Sequence, residues 1–148
     1  MIQLREFLPE MQNRVIDFLA SVFPESGKFF EPEGRHSSFV DIKKNYIGFW
    51  CLFDDEVIIG TVALKKINDE VCELKGLYLF EKYQGLKLGY RLAATAIEFA
   101  KIKGFSRIVL DTISTYQKAI RLYNGLGFVS IERYNDNQKA DVFMALDL

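Results

Sequence analysis

The segment from Glu70 to Thr112 constrains this chain more than any other. A strand-type run, Glu70–Phe80, leads through a short connection carrying Gly85 and Gly89 into the stretch Leu88–Lys103, and the apolar run Arg107–Thr112 follows. Within Leu88–Lys103, the residues Leu92, Ala96 and Phe99 form one apolar row and Ala93, Ile97 and Ala100 a second beside it. That spacing belongs to a helix with one buried face. Lys101 and Lys103 suit the negative end of its dipole, and Gly104 is available as its stop. Arg107–Thr112 reads as a buried-type strand.

Upstream, Gly48–Phe53, Val57–Lys66 and Glu70–Phe80 are separated by turn residues at Asp54-Asp55 and Asn68-Asp69, which predicts an antiparallel meander. A short first strand spans Ile2–Glu6. Pro9 then opens a helix in which Met11, Val15, Phe18, Leu19 and Val22 recur at three- and four-residue spacing until Pro24 closes it. Pro24–Arg35 reads as a loop and Ser37–Tyr46 as a second, shorter helix. Downstream, Tyr116–Leu126 predicts a helix ended by Gly127, and Phe128–Tyr134 with Ala140–Leu146 a closing hairpin. The order of elements predicts a mixed α/β fold. With 148 residues and no linker, repeat or low-complexity stretch, one domain over residues 1–148 is expected.

Composition narrows the function classes. Nineteen basic and twenty acidic residues leave a formal charge of -1, which is no electrostatic footprint for nucleic acid. The longest apolar run, Tyr46–Phe53, is too short to cross a bilayer, and Arg5 and Glu6 interrupt the start of the chain, so neither a membrane span nor a secretory signal is expected, and the cytoplasm is the expected location. Cys51 and Cys72 have no second Cys or His at ligand spacing, and His36 is the single histidine, so no metal site and no disulfide framework is expected.

The segment Tyr83-Gln84-Gly85-Leu86-Lys87-Leu88-Gly89-Tyr90 joins a strand to a helix. Glycines there let the backbone approach a ligand, and the amides of a helix start attract anions such as a pyrophosphate without a large positive field. The plainer reading is a tight turn. No Gly-Lys-Ser/Thr follows and the dinucleotide glycines are incomplete, which sets aside nucleotide hydrolysis and hydride transfer.

Together with the strand Glu73–Leu79 before it and Ala119-Ile120-Arg121-Leu122-Tyr123 and Leu126-Gly127-Phe128 after it, this loop resembles the GNAT family of N-acetyltransferases. The family's Gln/Arg-x-x-Gly-x-Gly/Ala falls on Gln84, Lys87 and Gly89, with lysine in place of the middle glycine. The resemblance implies a mixed, mostly antiparallel seven-stranded sheet flanked by four helices and splayed between its fourth and fifth strands, with acetyl-CoA in the gap. Its pantetheine would lie along Leu77, Tyr78 and Leu79 near a bulge, and its pyrophosphate on Gln84, Gly85, Leu86, Lys87, Leu88, Gly89 and Tyr90. Tyr116 stands where the family commonly has a cofactor-contacting Asn.

Roles follow from the same resemblance. Tyr123 occupies the position of the general acid that protonates the coenzyme A thiolate; the alternative is a Tyr that packs its ring and bonds its hydroxyl to a nearby carbonyl. Glu73, eleven residues before Gln84, matches the strand glutamate used as general base; the alternative is a surface cross-strand pair with a Lys. The N–H of Leu79 is the expected oxyanion donor. The acceptor is a primary amine, small molecule or peptide, taken up in a ternary complex without metal or covalent enzyme intermediate. An acyl-CoA-binding regulatory module with little turnover is the alternative, because Lys87 and Tyr116 replace favoured cofactor contacts. The closing hairpin is where such folds often meet a partner subunit, so a homodimer contact is expected there if anywhere.

Other features read as structural. His36 is taken as a solvated loop residue, Phe49 and Trp50 as core, and both cysteines as small buried hydrophobes. The mixed charges Glu25, Lys28, Glu31, Glu33, Arg35, Asp136, Lys139 and Asp141 are expected to edge the acceptor site.

Overall fold

The computed structural model describes residues 1–148. The strands are β1 (Ile2–Glu6), β2 (Gly48–Asp54), β3 (Val57–Lys66), β4 (Val71–Leu79), β5 (Arg107–Thr112), β6 (Val129–Ser130) and β7 (Val142–Asp147), and the helices α1 (Gln12–Val22), α2 (Ile42–Asn45), α3 (Leu88–Ile102) and α4 (Gln117–Leu126). All seven strands form one sheet in the order β1-β2-β3-β4-β5-β7-β6. Every neighbouring pair is antiparallel except β4 with β5. This is the mixed, mostly antiparallel sheet with four helices that the sequence implies. No helix is long and apolar enough to cross a membrane.

Two apolar clusters cover the two faces of the sheet. In β2, Trp50 and Leu52 enter one cluster with Leu92, Ala96 and Ala100 of α3, while Phe49, Cys51 and Phe53 enter the other with Val15, Phe18 and Leu19 of α1. The strand's period of two thus serves both layers, which explains why Gly48–Phe53 is apolar throughout.

Several boundaries move. Pro24 does not end the first helical segment: a 3-10 turn, Phe23–Ser26, continues it, and Gly27 at φ 75° is the stop. Proline is tolerated there because its missing N–H lies in a first turn that needs no donor. Ser37–Tyr46 divides into a 3-10 turn, Ser37–Asp41, and the single turn of α2, whose Lys44 amide is accepted by the Asp41 side chain. The closing hairpin is much shorter than expected, since β6 holds only Val129 and Ser130. Residues 131–141 form a loop tied by side chains, with Arg133 donating to the carbonyls of Asn137 at 2.9 Å and Ala140 at 3.0 Å.

The feature that positions everything below is the separation of β4 from β5. They pair only through Val71–Glu73 and Arg107–Val109. β4 then runs on through Leu74–Leu79 with β3 as its partner, while β5 keeps β7 as its partner through Thr112. At roughly 3.3 Å per residue, β4 extends about 20 Å beyond its last pairing with β5.

Candidate active site

A bulge shapes the free portion of β4. Thr61 faces Tyr78 and Ala63 faces Lys75, so Val62 alone stands opposite Gly76 and Leu77. Gly76 sits at φ 60°, and a Cβ there would come within 3.2 Å of the Phe39 ring. Thr61, fully buried, donates to the Gly76 carbonyl at 2.8 Å and holds the kink. The bulge therefore lies just before Tyr78, at Gly76 and Leu77, because only glycine fits its conformation and its space.

Between this strand and the start of α4 lies a cavity of about 1250 Å³, lined by Leu77, Tyr78 and Leu79, by Gln84, Gly85, Lys87, Leu88, Gly89 and Tyr90, and by Tyr116 and Tyr123. Leu86 is exposed and does not line it. None of the amides of residues 85–90 donates to an acceptor within the protein, and no side chain caps the start of α3. Five of these six residues, and with them the positive end of a helix dipole, thus border one cavity. Gly85 reaches φ 86°, and Lys87 takes φ 61°, ψ 19°. The lysine keeps a left-handed conformation that glycine adopts without strain.

A second cavity of about 710 Å³ lies on the other side of Tyr123, under the 131–141 loop. Glu73 lines it and is only 7% exposed, so it is not a surface carboxylate. Tyr134 donates to its Oε2 at 2.5 Å, and Lys75, two residues along the same strand, brings Nζ to 3.8 Å from its Oε1. The cross-strand partner in register is Lys65, but the ion pair is with Lys75. Burial, then the Glu73 hydrogen bond and the charges of Glu73 and Asp111, hold the Tyr134 phenol well above the usual tyrosine range. Asn135 and Asn137 both donate to Asp111 Oδ2, at 2.7 and 3.3 Å, and fasten the loop to β5.

The cavities share Lys28, Leu77, Tyr78, Tyr116, Ala119 and Tyr123. Tyr123 is 8% exposed, its ring lies edge-on to Phe128, and its hydroxyl is not among the hydrogen-bonded tyrosines Tyr46, Tyr83 and Tyr134. Burial, with the Asp111 charge adding to it, pushes its phenol up to about 12. It therefore remains protonated near neutral pH with its donor uncommitted. The carbonyl partner of the packing-only alternative is missing. Tyr116, at the N-terminal cap of α4, carries the Lys28 ammonium 4.4 Å above its ring centroid.

The remaining expected residues divide. Lys28, Glu31, Arg35, His36, Asp136 and Lys139 line the second cavity, Glu25 lines the first, and Glu33 and Asp141 line neither. Asp141 instead holds Ser114 through two 2.7 Å bonds. His36 is built into its loop: Nδ1 accepts the Glu31 amide at 2.9 Å, the ring packs on Phe23 and Phe30, and burial together with Arg35 lowers its pKa. Cys51 and Cys72 are fully buried, which pushes their thiols up to about 12 and about 11. No three His, Cys, Asp or Glu side chains gather as a metal-binding group. The sequence alone does not point to Tyr134, Asn135, Asn137 or Asp111. The signal available for them was a tyrosine set among polar residues in the final turn region, which is equally the pattern of a solvated loop.

A sequence model of the Acetyltransferase (GNAT) family matches residues 13–128. The chain belongs to the GNAT family. Among the relatives it matches, a protein described as an uncharacterised N-acetyltransferase of Schizosaccharomyces pombe is 40% identical over 92 residues, covering 61% of this chain and 56% of that one. N-acetyltransferase 8 of Mus musculus is 32% identical over 121 residues, covering 75% of this chain and 52% of its own. The chain thus spans about half the length of the curated relatives it matches. A GNAT acetyltransferase from Staphylococcus aureus superposes with a TM-score of 0.89 at 22% identity, covering 99% of both chains. An N-acetyltransferase from Thermoplasma acidophilum, solved in complex with coenzyme A, superposes at 0.77 with 21% identity over 100% of this chain and 99% of that one.

Proposed function

We propose that the chain moves an acetyl group from acetyl-CoA to a primary amine by direct transfer, with both substrates bound together. The observation that carries this reading is Tyr123, a buried phenol with a free hydroxyl where the two cavities join. The residues fit the cosubstrate: the uncommitted amides from Gly85 to Tyr90 suit its diphosphate, and the edge of β4 from Leu77 to Leu79 that β5 leaves unpaired suits its amide-bearing arm. Acetyl-CoA supplies an activated acyl group and a thiolate leaving group.

The chain supplies the rest. Tyr123 donates its proton to the departing sulfur; a phenol of pKa about 12 is a weak acid for this step, but it is protonated in every molecule at neutral pH. Glu73, oriented by Tyr134 and Lys75, takes the amine's proton directly or through water. The Leu79 N–H faces the developing charge on the carbonyl oxygen. Holding the two substrates at one junction supplies proximity, which accounts for much of the acceleration in transfers of this kind. Lys87 retains the glycine-type backbone, which argues against the regulatory-module alternative.

The test has two stages. Acetyl-CoA at about a hundred times its Kd should stabilise the fold by about 2.7 kcal/mol, a rise in Tm of about 5–10 °C for a chain of this size. A thiol-release assay over amino acids, polyamines and peptides should then find at least one amine that raises coenzyme A release above background hydrolysis. Absence of the thermal shift would remove acetyl-CoA binding altogether. A shift with no responsive amine would replace the enzyme by an acyl-CoA sensor.

A further inference from the structure

Five lysines line one cavity or the other: Lys28, Lys75, Lys87, Lys118 and Lys139. Lys28 alone lines both. Its position is set by the end of the first helical segment, where Gly27 turns at φ 75° and the Lys28 amide donates back to the Phe23 carbonyl at 3.2 Å. The side chain then crosses three rings, with Nζ 4.4 Å from the centroid of Tyr116, 5.6 Å from Tyr78 and 5.9 Å from Phe23. Rings hold it, and no carboxylate does: the ion pairs of the chain involve Lys66, Lys75, Arg107 and the amino terminus. Lys75, by contrast, is committed to Glu73.

An amine held over three rings at the junction, with no carboxylate bonded to it, is in position, once it has given up a proton, to react with whatever acyl group enters from the first cavity. We propose that Lys28 is itself an acetyl acceptor, modified by acetyl-CoA bound to the same chain. The inference rests on the acetyl-transfer reading above. In the reaction, Lys28 Nζ forms a C–N bond to the acetyl carbon and the thioester C–S bond breaks. Starting from the ammonium, one proton passes to water by way of Glu73 before attack. The second leaves the nitrogen as the amide forms and returns to Tyr123, which has given its own proton to the sulfur. The products are an acetamide on Lys28, free coenzyme A thiol and one proton. The modification removes the positive charge between the two cavities and leaves a neutral group over Tyr116.

The experiment incubates the intact chain with acetyl-CoA and no added amine, and follows acetyl incorporation by intact-mass and peptide mass spectrometry. One acetyl group should appear on Lys28 about ten-fold or more faster than on the other lysines, as expected for an amine held beside the donor. The rate constant should not change with protein concentration. Lys28→Arg should abolish it, and Tyr123→Phe should slow it. The inference is overturned by acetylation of Lys28 at the general lysine rate, by a rate constant that rises with protein concentration, or by indifference to Tyr123→Phe. If added amines are acetylated while Lys28 stays unmodified, this inference falls and the transfer reading stands. If neither is acetylated, the transfer reading fails first and takes this inference with it.

Discussion

The cavity along α3 presents peptide nitrogens to its contents, whereas the cavity under the 131–141 loop presents side chains that are already bonded to one another. In the first, the donors from Gly85 to Tyr90 are idle, and their direction is set by the φ values of Gly85 and Lys87 and by the start of a long helix. In the second, Glu73 is held by Tyr134 and Lys75, and Asp111 by Asn135 and Asn137. A site made from backbone needs only a local conformation and tolerates many side chains, as lysine at position 87 illustrates. A site made from side chains depends on contacts between residues as far apart as Glu73 and Tyr134, and a change at either end disturbs the other. Tyr123 touches both cavities and belongs to neither kind, since its hydroxyl is a side-chain group left unpaired.

This contrast can be tested at its three parts. The largest effect is expected at the junction. Tyr123→Phe should lower kcat by about a hundred-fold while leaving the affinity for coenzyme A, measured by calorimetry, nearly unchanged; an unaltered kcat would return Tyr123 to packing. The same variant has a stability signature. The folded phenol sits at about 12 against an ordinary 10.0, so its contribution is complete below pH 10 and is lost as pH rises through about 12. The wild-type chain should lose up to about 3 kcal/mol more than Tyr123→Phe between those pH values in denaturant titrations; equal losses would mean the phenol is solvated.

Tyr134→Phe probes the side-chain cavity. Leaving the buried Glu73 carboxylate without its donor should cost about 2 kcal/mol in urea unfolding and raise KM for the amine with little change in the affinity for coenzyme A. Equal losses for both substrates would show that the two cavities are not separable. The smallest effect belongs to the backbone cavity. Lys87→Gly relieves a left-handed residue and should add about 1 kcal/mol or less of stability, a rise of about 2–4 °C in Tm, with coenzyme A binding kept or strengthened. A marked loss of binding would mean that the lysine side chain, not its amide, meets the ligand.

Much of the fold was legible because it rests on local patterns. The two apolar rows of Leu88–Lys103 became α3 with a shift of one residue, and Arg107–Thr112 became β5 without any. Tyr123 could be singled out because its neighbours Leu122 and Gly127 carry a family pattern. Where prediction drifted, a tertiary contact had taken over. The first arm of the hairpin ends at Ser130 because Arg133 and the asparagines bond to carbonyls and to Asp111 instead of extending a ladder. Glu73 could be read either as a base or as one end of a surface pair, because it is buried and the hydroxyl that donates to it belongs to a tyrosine sixty-one positions away.

Taken alone, the order of residues determined which segments are strands and helices, where glycine ends a helix, and which family the arrangement resembles. These depend on hydrophobic period and backbone sterics, which act over a few neighbours. Only the tertiary structure decided the residue, Glu73, after which β4 leaves β5, that two cavities meet at Tyr123, and that Lys28 reaches both. Those facts depend on which distant groups satisfy one another once the two cores have packed on the sheet, and no short window of sequence contains both partners.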